Sequence, residues 1–482
     1  MSVTTAEPAN PGGLPVIRKP QDVIDLVNEH PSLRGGAVAI FVALGGVLLD
    51  AYQATMIGFG NKYIAAQFGI SSGLAATVNA SVLVAALIGG LASQKIINRL
   101  GQKRAFVLAM AVCSFAAVAV AFAPSIWWVL VFRVLMGLGL GVDFPLATNA
   151  VAELAGAGSK NSGRSVNLWQ MGWYMATTVV YLILIALNSA GIVEERLWRY
   201  GILIGGIFGV VVLVSRYFLI GESAIWAGRQ GHYDEAVRVL WDRYGVQAVV
   251  APEAESDVPA AERTTKGAYR ILFNRTYLRR TVLGCVVATM QAWQYNAVGV
   301  YLPLTLAGIL TGGLSASLSG SAVVNLLAGV TGGAIGSVIV HRFGSRRQTM
   351  TGFGLVAVCL LLLGLLGTSN PWLALVLLGL IIFFHSAGPG GLGMTIATLS
   401  YPPSIRPAGI GFARAIMRTG AIAGLILWPM LWGALGTDAF YWLAIVPLVG
   451  FFTGLLIHWE PMGYNVDEED AAVLQEINLE GK

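Results

Sequence analysis

The chain has 482 residues, of which 56% are hydrophobic and only 11% are charged, and its formal net charge is +5. A mean hydropathy of +0.71 excludes an ordinary soluble domain and indicates a protein that lies largely within a membrane. The basic residues form no continuous stripe, so the net positive charge does not indicate a nucleic-acid partner.

The first 35 residues are polar and include Pro11, Asp22 and Glu29. They lack the apolar stretch of a cleavable signal peptide. We therefore expect a cytoplasmic N-terminal segment (1–35) with a short amphipathic helix near 20–30. The first membrane span would then serve as an uncleaved insertion signal.

Twelve apolar stretches follow, and each has the roughly 20 residues that a helix needs to cross a bilayer. Six form a predicted N-terminal bundle (36–220), and six form a predicted C-terminal bundle (278–458). A polar linker with short helices (221–277) separates the bundles, and a cytoplasmic tail (459–482) follows them. The predicted fold is all-α and integral to the membrane, with spans near 36–60, 74–97, 104–123, 126–154, 164–188, 198–220, 278–306, 314–340, 347–368, 371–399, 405–433 and 438–458.

Connections rich in Lys and Arg alternate along the chain with nearly uncharged ones. Basic connections remain in the cytoplasm, so we expect both termini and the linker there, in a multi-pass protein of the cell inner (plasma) membrane. The residues that carry this pattern outside the linker are Lys95, Arg99, Lys103, Arg104, Lys160, Arg164, Arg342, Arg346 and Arg347.

The three cysteines, Cys113, Cys285 and Cys359, all fall within apolar stretches. Their spacing matches neither a disulfide framework nor a metal site. The sequence also shows no nucleotide motif and no pairing of a nucleophile with a base. We expect no cofactor and no enzyme activity.

Ionisable residues inside the predicted spans are the main functional signal. Arg133, Asp143 and Glu153 occur in the fourth span, and Asp50 occurs in the first. Each such group costs about 2.5–3.5 kcal/mol near the bilayer centre unless it finds water or a partner. These residues therefore indicate a transport pathway.

Glycines occupy alternate positions between Arg133 and Asp143, at Gly137, Gly139 and Gly141. A phosphate-binding loop would need a preceding soluble strand, and the sequence offers none. Glycines in a span allow a neighbouring helix to approach closely, so we predict helix packing here.

The chain contains an internal repeat. Asn-Arg-Leu-Gly-Gln-Lys-Arg at 98–104 follows the second span, and His-Arg-Phe-Gly-Ser-Arg-Arg at 341–347 follows the eighth. A duplicated six-span unit around a central loop is a transporter plan that places the substrate site between the halves.

These two loops resemble the loop motif of the major facilitator superfamily, although Asn98 and His341 stand in place of the acid with which that motif begins. The resemblance to the superfamily extends along nearly the whole chain. The segment 222–240 is similar to the signature that closes the sixth span of sugar porters, and 401–412 resembles the loop after the tenth span. The resemblance implies two pseudo-symmetric six-helix bundles, transport by alternating access and a monomer.

Two motifs resemble the phosphate:proton and aromatic-acid:proton symporters. The stretch 49–59 is similar to their first span, with Asp50 at the position of an acid. The stretch 137–146 is nearest the phosphate branch, with Phe144 in place of its usual Tyr. In the seventh span, however, Gln291, Asn296 and Tyr301 match the spacing of sugar porters.

Proton coupling requires a group within the membrane that takes up and releases a proton as its exposure changes sides. Asp50 and Asp143 are the candidates, with Arg133 as the associated cation. Two alternatives remain open. Asp50 could form a permanent ion pair with Arg133, and Asp143 could cap backbone groups freed beside Pro145.

Arg418 in the eleventh span requires a partner, and a guanidinium binds a carboxylate or phosphate through two hydrogen bonds. We predict an anionic group of the substrate as that partner. The alternative is a carbonyl freed where Gly388–Gly391 interrupts the tenth span, a break that should expose backbone groups to the cavity. Arg414 is expected at the membrane interface. The predicted substrate-binding residues are Arg418, Trp293, Tyr301, Gln291, Asn296, Gln170, His385 and Tyr52.

Near the cytoplasmic ends of the spans we expect gating residues. Glu153 is predicted to pair with Arg99 or Arg164 as a latch, and Arg342 stands in the second copy of the repeated loop.

The sequence thus predicts a proton-coupled symporter that imports a small organic anion, either a carboxylate or an aromatic acid. Phosphate is the nearest alternative, although Ala297 stands where the phosphate branch carries an acid. A neutral sugar is the third candidate. A non-transporting sensor on the same fold would need a signalling domain, which neither terminus nor the linker resembles.

Overall fold

The computed structural model describes residues 14–30, 37–155, 162–252, 254, 269–366, 370–402, 405–464, 466–470 and 472–473. Six long helices form the N-terminal bundle, because each coincides with a long apolar run of the sequence. They are α2 (Ala37–Phe68), α3 (Ser72–Leu100), α4 (Gln102–Ala121), α5 (Ile126–Ala155), α6 (Ser162–Ser189) and α7 (Glu194–Leu219).

The C-terminal bundle repeats this arrangement with more interruptions. Its elements are α10 (Leu278–Val298), α11 (Leu302–Ala307), α12 (Gly313–Val324), the π-helical segment Asn325–Val330, α13 (Thr331–Phe343), α14 (Ser345–Leu366), α15 (Pro371–His385), the π-helical segment Ser386–Gly390, α16 (Gly391–Leu399), α17 (Arg406–Leu435) and α18 (Ala439–Leu456).

Ten helical stretches of the described chain are long and apolar enough to cross a membrane. One of them, Ala408–Leu456, comprises both α17 and α18. The helix α10 falls outside the ten because Gln291, Gln294 and Asn296 reduce its hydropathy. Counting α17 and α18 separately and adding α10 gives the twelve spans of an all-α membrane fold.

The seventh span differs from the sequence prediction, which treated 278–306 as continuous. The helix ends at Val298, and a short second helix, Leu302–Ala307, follows with Pro303 in its first turn. The tenth span breaks as predicted: Gly388 leaves helical geometry, with φ −122° and ψ −105°, inside Ser386–Gly390.

The alternate glycines of α5 serve helix packing, as the sequence predicted. A side chain at Gly137 or Gly141 would collide with backbone carbonyls of α3, and one at Gly139 would collide with Cys113 of α4. The fourth span is therefore held tightly between its neighbours, and the positions of Arg133 and Asp143 are fixed.

The repeated loops share one construction. Gly101 and Gly344 end α3 and α13 with positive φ values of 86° and 83°. Glu222 then accepts hydrogen bonds from the amides of Gln102 and Lys103 at the start of α4, at 2.7 and 3.1 Å. Glu460 accepts from the amides of Ser345 and Arg346 at the start of α14, both at 2.9 Å.

The two bundles meet where α3 packs against α17 and where α6 packs against α12, α13 and α16. Beside the bundles, the N-terminal segment packs against the linker. Strand β1 (Val16–Ile17) pairs in parallel with β2 (Val249–Val250), and α1 (Pro20–Glu29) packs against α8 (Ala224–Arg229) and α9 (Tyr233–Tyr244). The helix α1 lies where the sequence predicted it.

Candidate functional site

A buried ion cluster lies between the two bundles. Asp50 of α2 accepts a hydrogen bond from Arg418 of α17, with 2.8 Å between Oδ2 and Nη2. The Nη2 atom of Arg414, one turn earlier on α17, lies 3.5 Å from the same oxygen. All three side chains are buried. We call Asp50, Arg414 and Arg418 the inter-bundle cluster; it holds two cations and one anion.

The sequence placed Arg414 at the membrane interface; in the structure its guanidinium is buried and is covered from both bundles. Its Cζ lies 3.5 Å from the centre of the Phe144 ring of α5. Its Nη1 reaches only the sulfur of Met417, at 3.8 Å. Its Nε and Nη2 have no hydrogen-bond partner in the described part of the chain.

Gln291 of α10 lies beside this group. Its Nε2 donates to the same Met417 sulfur at 3.3 Å. A thioether is a weak acceptor, so Gln291 and Arg414 together present buried donors with no strong acceptor. The sequence predicted Gln291 as a substrate-binding residue and did not predict Arg414 as one.

Arg133 does not pair with Asp50 among the described residues. Its Nη2 donates to the backbone carbonyl of Asn79 at 3.1 Å, and its Nε lacks a partner there. The permanent Asp50–Arg133 pair that the sequence left open is therefore not formed in this structure, and Asp50 is bound to the other bundle instead.

Asp143 forms a separate ion pair with Arg216 of α7, a residue that sequence reasoning missed. Arg216 donates to both carboxylate oxygens and to the carbonyls of Val42 and Ala43. Its guanidinium also lies over the Phe106 ring at 3.6 Å. We call Asp143 and Arg216 the N-bundle pair. The one available signal was a lone basic residue inside the sixth apolar span.

A line of aromatic rings crosses from one bundle to the other. Starting at Phe144, centroid distances of 6.0, 6.3, 5.9 and 5.5 Å connect the successive rings. Trp173 also donates its indole N–H to the Tyr295 hydroxyl at 2.8 Å. The ring order is Phe144, Trp169, Trp173, Tyr295 and His385. We call this set the aromatic line, and its first ring lies against Arg414.

The far end of the aromatic line is polar. Nδ1 of His385 is hydrogen-bonded to the side-chain oxygen of Gln294, whose Nε2 has no partner among the described residues. Gly390 permits a close approach here, because a Cβ atom would lie 2.5 Å from Nε2 of Gln170 and 2.8 Å from Nε2 of His385. The predicted residues Gln170 and His385 thus both lie next to Gly390, although they belong to different bundles. Gln294 was missed, although it lies one turn after Gln291.

The other predicted substrate-binding residues are engaged locally. Tyr301 lies just before α11 and donates its hydroxyl to the carbonyl of Leu425 at 2.9 Å. Asn296 donates to the carbonyl of Ala292 on its own helix at 2.8 Å. Tyr52 donates to the carbonyl of Gly201 in the N-terminal bundle at 2.8 Å. Trp293 is half-buried and packs with the core of the C-terminal bundle.

The break in the tenth span was expected to expose backbone groups to the cavity. Instead, the carbonyl of Ala387 accepts a hydrogen bond from Nε2 of Gln348 on α14, at 2.6 Å. The same amide donates to the carbonyl of Gly336 at 2.9 Å. A polar side chain of the same bundle therefore satisfies this carbonyl, and it is not the partner of Arg418.

The structure describes the side chains of two of the predicted gating residues, Arg99 and Arg342. Arg99 and Arg342 lie in the last turns of α3 and α13, and both are exposed. The side chains of Glu153 and Arg164 lie outside the described part of the structure. The latch between them stays a prediction.

The tail folds back onto the start of α10. Glu469 accepts two hydrogen bonds from Arg280, both at 2.9 Å, and others from Tyr277 and Tyr464. Burial raises the pKa of Glu469, but these hydrogen bonds outweigh it and lower the pKa below its ordinary value. Arg280 also lies 3.8 Å from the centre of the Trp459 ring.

Comparison with characterised proteins places the chain among transporters. It is 25% identical over 411 residues to the niacin transporter NiaP of Acinetobacter baylyi, covering 84% of this chain and 89% of the relative. It is also 25% identical over 426 residues to the 4-hydroxybenzoate transporter PcaK of the same organism, covering 86% and 89%.

The fold matches that of a solved transporter. The proton:xylose symporter XylE bound to 6-bromo-6-deoxy-D-glucose superposes with a TM-score of 0.73 at 18% sequence identity, covering 90% of this chain and 98% of XylE. The likeness confirms the predicted fold: twelve spans in two six-helix bundles.

The family model described as "Sugar (and other) transporter" matches residues 38–470, which is nearly all of both bundles and the linker between them. The chain is a multi-pass membrane transporter and not an enzyme. It belongs to the sugar (and other) transporter family of the major facilitator superfamily.

Proposed function

We propose that this protein imports a small organic anion, a carboxylate or aromatic acid, together with protons by alternating access. The inter-bundle cluster carries the proposal. Two buried arginines of the C-terminal bundle face one carboxylate of the N-terminal bundle. An anion entering between the bundles would find the positive charge that is left over.

The cluster also supplies a physical link between anion and proton. An arginine that interacts with Asp50 can form its full set of hydrogen bonds with the substrate carboxylate only after Asp50 has released that arginine. A released, ionised Asp50 inside the membrane is costly, and taking up a proton removes its charge. Anion binding and protonation of Asp50 therefore favour each other, which is the coupling that a symporter requires.

The aromatic line supports an aromatic acid as the substrate. Its first ring, Phe144, lies directly against Arg414, so a flat ring attached to a carboxylate would find aromatic faces next to the guanidinium. The relatives NiaP and PcaK are named for niacin and 4-hydroxybenzoate, which are both aromatic carboxylic acids.

A neutral sugar remains the second candidate, favoured by the family description and by the likeness to XylE. Asn296, one of the amides that suggested it, donates to the carbonyl of Ala292 on its own helix. A sugar would also leave the extra arginine of the inter-bundle cluster without a partner, so we place this candidate behind the anion.

Arg133 and Asp143 complete the proposed coupling residues. Arg133 is buried in the same bundle as Asp50 and has an unpaired Nε among the described residues. It would stabilise Asp50 in a conformation where the bundles have separated. Asp143 would serve a cytoplasmic release step, in which case Asp143→Asn shifts the pH dependence of transport. An unchanged pH profile would remove Asp143 from the proton path and leave it as the fixed partner of Arg216.

We further propose that the protein works as a monomer in the cell inner (plasma) membrane with both termini in the cytoplasm. The basic connections support this orientation. The gating residues Arg99, Glu153, Arg164 and Arg342 would lie on the same side.

Transport by proteoliposomes tests the proposal. An imposed gradient, acidic outside, should drive accumulation of radiolabelled 4-hydroxybenzoate or nicotinate, whereas the uncharged analogue 4-hydroxybenzamide should not compete. The variant Asp50→Asn should lose proton-driven accumulation and retain counterflow exchange. Accumulation of glucose or xylose with no effect of the acids would support the sugar candidate and reject ours.

A further inference from the structure

We propose that Arg414, and not the Arg418 that the sequence marks, is the group that first receives the substrate carboxylate. The division of roles is specific: Arg414 with Gln291 holds the anion, and Arg418 holds Asp50 until Asp50 is protonated. This inference rests on the proposed function and assigns its anion site to named atoms.

The first observation is that buried hydrogen-bond donors lie together without a strong acceptor. Arg414 is buried, and its Nε and Nη2 have no hydrogen-bond partner in the described part of the chain. Its Nη1 and the Nε2 of Gln291 share the sulfur of Met417, at 3.8 and 3.3 Å. Buried polar groups normally find strong partners. A carboxylate at this point would replace a weak acceptor with two oxygens.

The second observation is that Arg418 is already occupied. Its Nη2 donates to Oδ2 of Asp50 at 2.8 Å, whereas Arg414 stays 3.5 Å from the same oxygen and makes no hydrogen bond to it. One carboxylate thus neutralises one arginine well and the other poorly. The charge available to an incoming anion resides on Arg414.

Phe144 gives the site its shape. Cζ of Arg414 lies 3.5 Å from the centre of this ring, so the ring covers that side of the guanidinium. An anion would bind at the N–H edges of the guanidinium, in its plane, as bidentate recognition requires. Phe144 belongs to the N-terminal bundle, so this contact depends on how the bundles are placed.

Two double variants with equal charge separate the roles. In the wild type the inter-bundle cluster carries a net charge of +1, from two arginines and one aspartate. Both Asp50→Asn/Arg418→Gln and Asp50→Asn/Arg414→Gln keep that charge, since each loses one cation and one anion. Neither leaves a carboxylate that could compete with the ligand. Each should therefore fold about as well as the other, which a thermal unfolding scan verifies.

The probe is 4-hydroxybenzoate, and its binding to purified protein in nanodiscs is measured by calorimetry. We expect Asp50→Asn/Arg418→Gln to bind it with an affinity near that of the wild type. We expect Asp50→Asn/Arg414→Gln to bind about tenfold or more weakly, because a charge-assisted bidentate contact is lost. The exposed Arg279, changed to Gln, serves as the control for an arginine outside the site.

The single variants add a second test if the double variants unfold. In Arg418→Gln, Asp50 is free to move onto Arg414, so binding should be lost and then restored by adding Asp50→Asn. In Arg414→Gln, binding should be lost and not restored. Equal affinities in the two double variants, or the reverse order, would overturn the assignment. Failure of the wild type to bind 4-hydroxybenzoate, nicotinate or any other carboxylate would reject the proposed function, and this inference with it.

Discussion

Two buried ion clusters in the described part of the chain are built on opposite principles. In the N-bundle pair, one arginine faces one aspartate, and two backbone carbonyls accept further hydrogen bonds from Arg216. In the inter-bundle cluster, two arginines share one oxygen of Asp50, and Arg414 retains unsatisfied nitrogens among the described residues. The first cluster lies within a single bundle, and the second connects the two.

The difference indicates separate roles. A buried pair whose donors are all satisfied cannot lose a member without a large penalty, so the N-bundle pair suits a part that moves as one body. A cluster that carries an excess charge and has hydrogen-bond donors without acceptors exchanges its ion-pair partners at a lower cost in free energy. It also lies where the proposed alternating access would require contacts to break.

The largest expected effect comes from breaking the N-bundle pair. Arg216→Gln leaves Asp143 buried without its counter-ion, which should destabilise the protein by about 3–5 kcal/mol. The measurement is the yield and thermal unfolding temperature of purified protein. Arg414→Gln, in the inter-bundle cluster, should cost much less, because it removes a cation that is poorly compensated. Equal losses would contradict the contrast between the clusters.

A smaller effect should follow from a change that adds atoms next to the same pair. A Cβ at Gly46 of α2 would collide with the Asp143 carboxylate and lie 3.0 Å from Nη2 of Arg216. We expect Gly46→Ala to destabilise the protein by about 1–3 kcal/mol through overpacking. Gly379→Ala is the matched control, since nothing lies within 4 Å of its added Cβ; it should be neutral or slightly stabilising.

Phe144→Leu tests the inter-bundle cluster with little change of volume. It removes the ring beneath the Arg414 guanidinium, whose interaction we expect to contribute about 0.5–2 kcal/mol at this buried site. The thermal unfolding temperature should fall modestly, and affinity for 4-hydroxybenzoate should change. The ring contact would have no role if Phe144→Leu left both quantities at wild-type values.

The smallest effect belongs to the tail, which lies outside both clusters. The pKa of Glu469 is lowered from an ordinary value of 4.5 in the folded protein. Its contribution to stability is therefore complete above about that pH and is lost as the pH falls through the lower folded value. Glu469→Gln should cost less than about 1 kcal/mol at neutral pH. The difference from wild type should shrink in acid, and a difference that grew there would reject the linkage.

The sequence predicted the fold well because the spans are long and apolar, and the positions of α2 to α7 follow directly from them. Its errors occurred where polar and special residues act locally. The end of α10 at Val298 depends on a few residues around Gly299 and Pro303. No periodicity distinguishes such a break from a continuous span.

The charged residues of the candidate site could be predicted from the sequence, but the ion pairs that they form could not. Asp50, Arg418 and Asp143 were marked because ionisable residues in spans are rare. Which cation meets which carboxylate depends on helices far apart in the sequence, so Arg216 was missed, and the Asp50–Arg133 pair that the sequence left open is not formed among the described residues. The burial of Arg414 between the bundles was not predicted, because helical depth alone does not reveal what covers a side chain from the opposite bundle.

The most direct test of the account is proton uptake during ligand binding. Purified protein in weakly buffered solution with a pH indicator is mixed with 4-hydroxybenzoate, and the change in free protons is recorded. We predict that wild-type protein takes up protons as the anion binds, and that Asp50→Asn binds the anion without taking up any. Anion binding with no proton uptake in the wild type, or with equal uptake in Asp50→Asn, would contradict the claim that anion binding and protonation of Asp50 favour each other.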